Sequence, residues 1–422
     1  MQIALEQFFD RLFPINRSLT GEGNRESLKI LSEIIDLKLY EVPSGTKCFD
    51  WTVPPEWNVK EAWIKDTSGT TIVDFKNLNL HLLGYSIPFK GQMPLDKLKF
   101  HLFSIADMPE TVPYLTSYYQ ERWGFCLKHS QLTSLKEDTY NVLIDSELND
   151  NGSMTYGEAF IQGESDEEVL LSTYICHPSM ANNELSGPLV TSFIYKLLKG
   201  KKLRYSYRFL FLPETIGAIY YLSKFGDKLK DRLIAGFVVT TIGDRGSFTY
   251  KRSRQGNSLS DRAAEIVLTQ TETDYTIEDF FPNGSDERQY CSPGFNLPIG
   301  SLMRTRYLKY KEYHTSDDNK SFISFDAMEK SVKKYIEVIN VIEKNRSYIN
   351  QSPFCEPLLG KRGLYPTLGS QHEAQEYVNA TLWLLNLADG TNDLISISKK
   401  SKINFNLLSQ IAEKLLEHSL IK

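Results

Sequence analysis

The spacing of hydrophobic and polar positions changes twice along the chain. Over residues 1–40, apolar side chains recur every three or four residues in EQFFDRLF and ESLKILSEIIDL. This spacing predicts two amphipathic helices on either side of the break NRSLTGEGN. From Pro43 to about residue 135, the sequence is rich in Trp, Tyr, Thr and Pro and contains short segments in which hydrophobic and polar residues alternate. Alternation is typical of antiparallel strands, so we expect a small β unit inserted into a larger domain.

From about residue 138 onward, short apolar runs alternate with segments of helical spacing. NVLIDSEL, EVLLSTYI, YRFLFLP and LIAGFVVTTIG are predicted as strands, whereas GPLVTSFIYKLLKG, ETIGAIYYLSKFGDKL, LSDRAAEIVLTQ and AMEKSVKKYIEVINVIEKN are predicted as helices. Strands that alternate with helices favour an α/β fold with a mainly parallel central sheet and helices on both faces. In such sheets, active sites collect at the carboxyl ends of the strands.

The last seventy residues have a different organisation. After about residue 350, a connector that contains Pro and Gly leads to TLWLLNLAD, DLISISKKS and NFNLLSQIAEKLLEHSLI, and three short helices of this kind predict a winged-helix or helix-turn-helix module. Residues 353–422 contain seven Lys and Arg against seven Asp and Glu. Because DNA affinity depends on neutralising phosphates, we expect this module to pack or to bind a protein partner rather than nucleic acid.

These patterns predict three domains. Residues 1–45 and 136–350 form the main α/β domain, residues 46–135 the inserted β domain, and residues 353–422 the winged-helix module.

Composition and charge narrow the class of protein. A chain of 422 residues with 41% hydrophobic and 24% charged residues is an ordinary globular protein. The formal net charge of -5 gives no general attraction to nucleic acid or to an anionic membrane. Five cysteines without a CxxC pair are typical of reduced thiols, and the first residues lack the apolar core of a signal peptide. We therefore expect a cytoplasmic protein.

Candidate chemistry lies at the predicted strand ends. His177 follows the apolar run 169–175, Glu214 ends YRFLFLPE, Asp244 ends LIAGFVVTTIGD, and His314 lies in the polar segment KYKEYHTSDD. Two imidazoles and a carboxylate are a common donor set for a catalytic zinc ion, and a further carboxylate can act as a base. Each residue alone has a structural alternative, since a lone histidine is commonly hydrogen-bonded and a strand-end aspartate commonly caps a helix. The combination of all four favours a metal site.

The same segments resemble zinc aminopeptidases of the co-catalytic metallopeptidase type. More closely, they resemble a bacterial branch of aminopeptidase-like proteins that is linked to polysaccharide or natural-product biosynthesis. The resemblance rests on PINRSLTGEG, VPSGTKCFDWTVPPEW, STYICHPSMANNELSG, PETIGAIYYL, TTIGDRGSFTYKRSR and YHTSDDN. It implies an aminopeptidase-like domain, an inserted β domain and a C-terminal winged helix. It also implies that His177, Asp244 and His314 hold metal and that Glu214 is the general base.

Three departures from the family pattern change the expected number of metal ions. Asn183 stands where the family has a metal-bridging Asp, and Thr215 stands where it has a second ligating Glu. Ser179 replaces the Asp that orients the histidine in the family. A neutral amide cannot offset two dications, so we expect one zinc ion rather than two, with Asn183 as an additional candidate ligand.

Several other residues are candidates for contact with a substrate. Lys251, Arg252 and Arg254 form most of the KRSR cluster that follows TTIGD, and these cations could receive a carboxylate or a phosphate. The alternative for this cluster is a solvated surface. Arg17 in NRSLTGEG belongs either to a turn or to a pocket wall, and Asp286 in PNGSDERQY is either a turn residue or a group near the site.

The leading hypothesis is a zinc-dependent hydrolase of the aminopeptidase type that acts on a small peptide or an amide-containing metabolite. One alternative is a single-zinc amidohydrolase, deacylase or cyclase that acts on a biosynthetic metabolite. Another is a non-catalytic binding or regulatory protein that has kept the fold. We expect neither a nucleic acid nor a membrane as a partner, while a homo-oligomer or a protein partner bound through the C-terminal module stays open.

Overall fold

The computed structural model describes residues 1–136, 138–364 and 371–422. It divides into a larger unit, Met1–Ser260 with Tyr275–Lys333, and a smaller unit, Asp261–Asp274 with Lys334–Lys422. Within the described ranges, no helix combines the length and the apolar composition that crossing a bilayer requires.

A mixed sheet of eight strands forms the centre of the larger unit. Its spatial order is Lys38–Pro43, Ser153–Ile161, Ser206–Leu212, Glu168–Tyr174, Leu233–Val238, Ile299–Met303, Phe248–Lys251 and Tyr275–Glu278. The third to sixth strands of this order run parallel, whereas the first two are antiparallel to their neighbours. Near the other edge, Phe248–Lys251 is antiparallel to Ile299–Met303 and parallel to Tyr275–Glu278.

The predicted mainly parallel sheet is therefore corrected to a mixed sheet with a parallel centre. Every residue of Glu168–Tyr174 and Ser206–Leu212 is buried, so the centre of the sheet is covered on both faces. Such continuous burial is typical of parallel strands joined by helical crossovers. The added outer strands can pair antiparallel because that arrangement does not require a crossover helix.

Helices account for most of the remaining regular structure in this part of the chain. The longer ones are Gln2–Leu12, Glu22–Leu31, Ser186–Leu198 and Ile216–Arg232, while most of Leu259–Thr271 and the second half of Phe325–Lys344 belong to the smaller unit. The short ones are Leu95–Leu98, His129–Ser134 and Glu287–Tyr290. Ser186–Leu198 and Ile216–Arg232 each follow a central strand, so their first turns lie where that strand ends.

The inserted segment contributes a second, antiparallel sheet. Its spatial order is Thr71–Asp74, Glu56–Lys65, Thr139–Asn149 and Phe89–Pro94. The strand predicted from NVLIDSEL belongs to this sheet and not to the central one. Buried and less buried residues alternate along the first half of Thr139–Asn149, which is the pattern of a strand with one covered face. The two-residue pairs Lys47–Cys48 with Trp51–Thr52 and Leu102–Phe103 with Phe125–Cys126 complete the strands of this region.

The smaller unit contains the three helices expected near the C-terminus. They are Gln371–Leu387, Leu394–Ser401 and Phe405–Glu417, and a short ladder pairs Ser347–Ile349 with Asp389–Asp393. Asp393 caps the second of these helices, because its carboxylate accepts a hydrogen bond from the backbone N–H of Ser396. Part of the predicted connector, residues 365–370, lies outside the described residues.

Candidate active site

His177 lies just beyond the strand Glu168–Tyr174 and is 4% exposed. Its Nδ1 is 2.8 Å from Oε2 of Glu184, whose Oε1 accepts a hydrogen bond of 2.6 Å from the backbone N–H of Cys176. A bond from Nδ1–H to a carboxylate fixes the imidazole tautomer and leaves Nε2 with a free lone pair. Burial lowers the pKa of His177, but the hydrogen bond to Glu184 and the charges of Glu184 and Glu214 outweigh it and raise the pKa.

Arg17 supports this arrangement from inside the protein. Its Nε is 3.5 Å from Oε1 of Glu184, and both side chains are completely buried. The same Nε donates to the carbonyl of His177 at 3.0 Å, while another guanidinium nitrogen donates to the carbonyl of Leu12 at 2.6 Å. Arg17 therefore stabilises the charge of Glu184 and holds the His177 loop. This is a different place from the predicted wall of a substrate pocket.

Glu214 lies near the opposite nitrogen of His177, and the ring of His314 is a neighbour of the His177 ring. Oε2 of Glu214 is 3.6 Å from Nε2 of His177, and the centroids of the two imidazole rings are 5.4 Å apart. Nε2 of His314 is buried and has no hydrogen-bond partner among the described residues. Burial and the nearby charge of His177 lower the pKa of His314 to about 3, so this imidazole is neutral, as a metal ligand must be.

Glu214 and Nε2 of His177 have a spacing that would suit two ligands of one zinc ion. A separation of 3.6 Å between Glu214 and His177 exceeds a hydrogen bond. It is close to the roughly 3.3 Å expected between two ligands of a tetrahedral ion with bonds of about 2.0–2.1 Å. The buried and unpartnered Nε2 of His314 supplies a third atom of the kind that zinc prefers. The two imidazoles and the glutamate, which were predicted from separate segments of the chain, are thus neighbours in the fold.

A strained turn directs Glu214. The next residue, Thr215, has φ 65° and ψ -74°, which is an unfavourable conformation for a β-branched side chain. Its N–H donates to Oδ1 of Asp286 at 2.7 Å, and its hydroxyl accepts a hydrogen bond of 2.9 Å from Arg288. Burial raises the pKa of Glu214, while the charges of His177 and Arg288 oppose that rise. The side chain of Glu214 is still 25% exposed, so it is open to solvent.

Tyrosine rings line the two histidines. The ring of Tyr114 lies 5.2 Å from both His177 and His314, and Tyr174 lies 5.3 Å from His177. Tyr313 stacks on His314 at 4.0 Å with an angle of 12° between the rings. Burial raises the pKa of Tyr114 and Tyr174 well above the ordinary value, so their hydroxyls stay neutral. This lining keeps water away from the histidines and adds no charge to the site.

Asp244, predicted as a metal ligand, is not brought into this cluster by any described contact. Its Oδ1 accepts hydrogen bonds from the N–H of Gly246 at 2.6 Å and the hydroxyl of Thr305 at 2.7 Å. Its Oδ2 accepts from the side chain of Asn182 at 3.0 Å and from the N–H of Thr305 at 3.1 Å. These four bonds occupy both carboxylate oxygens, so Asp244 organises the loop that carries Asn182.

A second set of donor atoms lies on the Nδ1 side of the imidazole. Cys176, His177 and Glu184 have donor atoms within 4.8 Å of one another, a spacing that could hold a metal ion. We interpret the set as a hydrogen-bonded triad, because the 2.8 Å between Nδ1 and Glu184 is a hydrogen-bond distance. Burial also raises the pKa of the Cys176 thiol well above its ordinary value, which disfavours the thiolate that zinc binds.

Two other predicted residues lie close to the cluster in different ways. Oδ1 of Asn183 accepts a bond of 3.4 Å from the hydroxyl of Tyr174, and its Nδ2 is buried without a partner among the described residues. Asp286 reaches the site through the backbone of Thr215. Burial and the charge of Glu214 raise the pKa of Asp286 well above the ordinary value.

The KRSR cations are held by local partners. Lys251 is completely buried at its side chain, and its Nζ lies 3.8 Å from the centre of the Phe281 ring. Lys251 lies 2.6 Å from Glu287 and donates to the hydroxyl of Tyr307 at 2.9 Å. Arg252 lies 2.6 Å from Asp279, and Arg254 donates to Asn296 at 2.9 Å. Their predicted role in substrate binding remains a prediction that these contacts do not support.

Two residues of the site were missed by sequence reasoning. Glu184 is the only carboxylate in STYICHPSMANNELSG, and that isolation among neutral residues could have marked it as a partner of His177. Arg288 is two residues from Asp286 in PNGSDERQY, but no spacing rule connects it with Glu214.

The fold and the site together define an aminopeptidase-like protein of the mixed α/β class. The chain belongs to the family described as a domain of unknown function (DUF4910), whose model matches residues 6–345. Residues 346–422 match a winged helix-turn-helix model, which confirms the predicted C-terminal winged helix.

Similar proteins agree with this assignment. A Clostridium acetobutylicum protein named for polysaccharide biosynthesis and an aminopeptidase-like domain is 48% identical over 415 residues, which cover 98% of this chain and 94% of the relative. A crystal structure from the same organism, described as a peptidase, has a TM-score of 0.93 at 46% identity and covers 100% of this chain and 96% of that chain. A zinc aminopeptidase from Bacillus subtilis has a TM-score of 0.59 at 12% identity, with 81% of this chain and 93% of that chain covered, and shows the fold alone. The resemblance to zinc aminopeptidases is confirmed.

Proposed function

We propose that this protein is a metal-dependent hydrolase of the aminopeptidase type that cleaves a peptide or amide bond, with Glu214 as the general base. The observation that carries the proposal is that Oε2 of Glu214 lies 3.6 Å from Nε2 of His177, while the ring of His314, whose Nε2 is buried without a described partner, lies 5.4 Å from the ring of His177. A single zinc ion held by the two imidazoles would polarise the amide carbonyl and lower the pKa of water.

The residues of the chain have distinct tasks in this reaction. Glu214 takes a proton from the attacking water and returns it to the departing nitrogen. Its raised pKa suits both steps, because a stronger base accepts the proton more readily and its protonated form is still an acid. Glu184 keeps Nδ1 of His177 protonated, so that Nε2 faces the metal side.

One ion is favoured over two by the neutral residues around the cluster. Asn183 and Thr215 provide no negative charge at the two positions where the resemblance expects metal-binding carboxylates. Asp244 is left out of the proposed ligand set because its oxygens accept four hydrogen bonds. Glu214 then serves as base or, through one oxygen, as a further ligand at the same ion.

Metal analysis and turnover test the proposal. Protein purified without chelators is expected to hold about one zinc ion per chain, and His314→Ala is expected to lose it. Glu214→Gln should keep zinc and lower turnover of aminoacyl p-nitroanilides by about 10²–10⁴-fold. His418→Ala is the matched control, because His418 is an exposed histidine of the smaller unit. Zinc retained by His314→Ala, or full activity of Glu214→Gln, would refute the proposal.

A second candidate is a single-zinc amidohydrolase or deacylase that acts on a metabolite. The name of the Clostridium relative, which refers to polysaccharide biosynthesis, favours it. Turnover of N-acyl metabolites without turnover of aminoacyl anilides would select this candidate. Zinc binding without turnover of either class would favour the non-catalytic alternative. The cytoplasmic location and the lack of nucleic-acid and membrane partners stay predictions.

A further inference from the structure

Arg288 is a cation at the site whose charge is not matched by a described ion pair. Its guanidinium donates to the hydroxyl of Thr215 at 2.9 Å. Its Nε is buried and has no hydrogen-bond partner among the described residues. A buried N–H of a charged group is costly when it stays unpaired. The side chain therefore has hydrogen-bonding capacity that a ligand can use.

Arg288 lies on the same side of the site as the reacting groups. Thr215, which it contacts, directly follows Glu214. Oε2 of Glu214 in turn lies 3.6 Å from Nε2 of His177. A group bound by Arg288 would thus lie close to Glu214.

The acids near Arg288 are already engaged. Glu287 is 2.6 Å from Nζ of Lys251, and both side chains are completely buried. Asp286 accepts a bond of 2.7 Å from the N–H of Thr215. Glu214 faces His177. Each of these acids contacts another group through one oxygen, and no described ion pair joins any of them to Arg288, so an anionic ligand could complement the guanidinium.

Position 215 of this chain differs from the corresponding position in the zinc aminopeptidases that the chain resembles. The resemblance expects a second metal-binding glutamate here, whereas the threonine hydroxyl is neutral and bonds to a guanidinium. A fixed cation therefore stands beside the position where a second metal ligand is missing. A guanidinium recognises a planar anion such as a carboxylate through charge and paired N–H groups.

We propose that Arg288 binds a carboxylate of the substrate, so that the amide bond presented to Glu214 belongs to an N-acylated amino acid or a similar acidic amide. The reaction in this inference rests on the proposed function, but the binding of the carboxylate does not. Binding of a matched pair of probes can therefore test it without turnover. Hippurate has an amide bond and a carboxylate, and hippuramide differs from it by lacking that charge.

Isothermal titration with these two probes is the experiment. The wild-type protein is expected to bind hippurate more tightly than hippuramide, and Arg288→Gln is expected to weaken hippurate binding by about ten- to hundredfold while hippuramide is unaffected. Arg288→Lys should bind hippurate with an affinity between those of the wild type and Arg288→Gln, because lysine keeps the positive charge but lacks the paired N–H groups of a guanidinium. Arg232→Gln is the control: Arg232 ends the helix Ile216–Arg232 that starts beside Thr215, about 24 Å away at 1.5 Å per residue. Circular dichroism verifies that each variant is folded.

The outcomes separate this inference from the proposed hydrolase. Hippurate binding that depends on Arg288, without turnover of any amide, would support the inference and count against the hydrolase. No preference for hippurate over hippuramide in the wild type, whether both bind or neither does, would overturn the inference, even if neutral amides are hydrolysed. Equal losses in Arg288→Gln and Arg232→Gln would also overturn it. Tighter binding of the phosphonate analogue of hippurate would reject the carboxylate and indicate a phosphate group.

Discussion

Glu184 shows how much of this site depends on a single side chain. Its two oxygens bond to Nδ1 of His177 and to the N–H of Cys176, and Arg17 lies 3.5 Å away. The family resemblance expects the orienting residue at Ser179, but the hydroxyl of Ser179 donates to the carbonyl of Phe13 instead. The orienting role has thus moved to another residue of the same loop, with a full negative charge in place of a hydroxyl.

Glu184→Gln is expected to weaken zinc binding by about ten- to hundredfold, because loss of the charged partner of a ligating histidine lowers the basicity of the ring. Glu184→Ala should in addition destabilise the fold by about 3–5 kcal/mol, since it leaves the Arg17 charge buried and unpaired. Zinc affinity is measured by competition with a chromogenic chelator, and stability by urea unfolding. Ser179→Ala is the comparison and should bind zinc as the wild type does. Unchanged zinc affinity in Glu184→Gln would contradict the assigned role.

The segment that carries Glu184 is placed by one close contact between a helix and a strand. A helical turn over Ala181–Leu185 leads directly into the helix Ser186–Leu198, and all five residues of that turn are buried. A Cβ on Gly187 would lie 2.4 Å from the carbonyl oxygen of Val239 and 2.5 Å from the hydroxyl of Thr173. Only glycine lets this helix begin so close to the central strands.

Gly187→Ala is therefore expected to cost about 1–3 kcal/mol of unfolding free energy, because the strand backbone cannot move away from the new methyl group. The displaced turn should also weaken zinc binding, since Glu184 lies within it. Gly294→Ala is the matched control, because nothing lies within 4 Å of a Cβ at Gly294. Urea unfolding and zinc titration of both variants measure the two effects. Equal stability of the two alanine variants would show that the contact does not constrain the helix.

A partly buried ion pair connects distant parts of the chain within the larger unit. Arg25, on the helix Glu22–Leu31, lies 2.6 Å from Glu56 of the inserted sheet and donates to the hydroxyl of Ser153 in the central sheet at 2.9 Å. The bonds from Arg25 outweigh burial and lower the pKa of Glu56 to about 2, from an ordinary value of 4.5. In the smaller unit, the pKa of Asp393 is also lowered to about 2, because hydrogen bonds from Arg262 and Asn345 outweigh its burial.

A carboxylate whose pKa is lower in the folded protein than in the unfolded chain stabilises the fold at any pH above its unfolded-state pKa. This stability is lost as the pH falls from the unfolded-state pKa through the folded-state pKa. For Glu56 the loss is expected between pH 4.5 and about pH 2. At pH 7, Glu56→Gln should reduce the unfolding free energy by about 1.5–3 kcal/mol. This difference between variant and wild type should shrink towards zero as the pH approaches about 2. Urea unfolding followed by tryptophan fluorescence at pH 7 and pH 3 measures this. Glu26→Gln, on the same helix but exposed, is the control; a pH-independent deficit in Glu56→Gln would refute the ion-pair explanation.

The local pattern of the sequence was sufficient to predict much of the candidate site and the central strands of the fold. Continuous apolar runs identified Glu168–Tyr174 and Ser206–Leu212 as buried strands. His177 and Glu214 could be predicted as site residues because they come just after the ends of these strands. Both properties depend on neighbours in the sequence. His314 was a candidate from its polar segment, and the resemblance gave it a metal-binding role; the structure places its ring beside that of His177.

Properties that depend on distant partners could not be predicted in this way. A strand pattern does not state its partner, so Thr139–Asn149 was expected in the central sheet and pairs in the inserted one. A carboxylate at a strand end does not state its direction, and Asp244 turns towards Thr305, 61 residues later. The sequence by itself determined which residues could form buried strands and carry metal chemistry, because those properties are local. Only the tertiary structure decided that Glu184 orients His177 and that Arg288 contacts Thr215, the residue after Glu214, because each of these contacts depends on how separate loops meet at the end of the sheet.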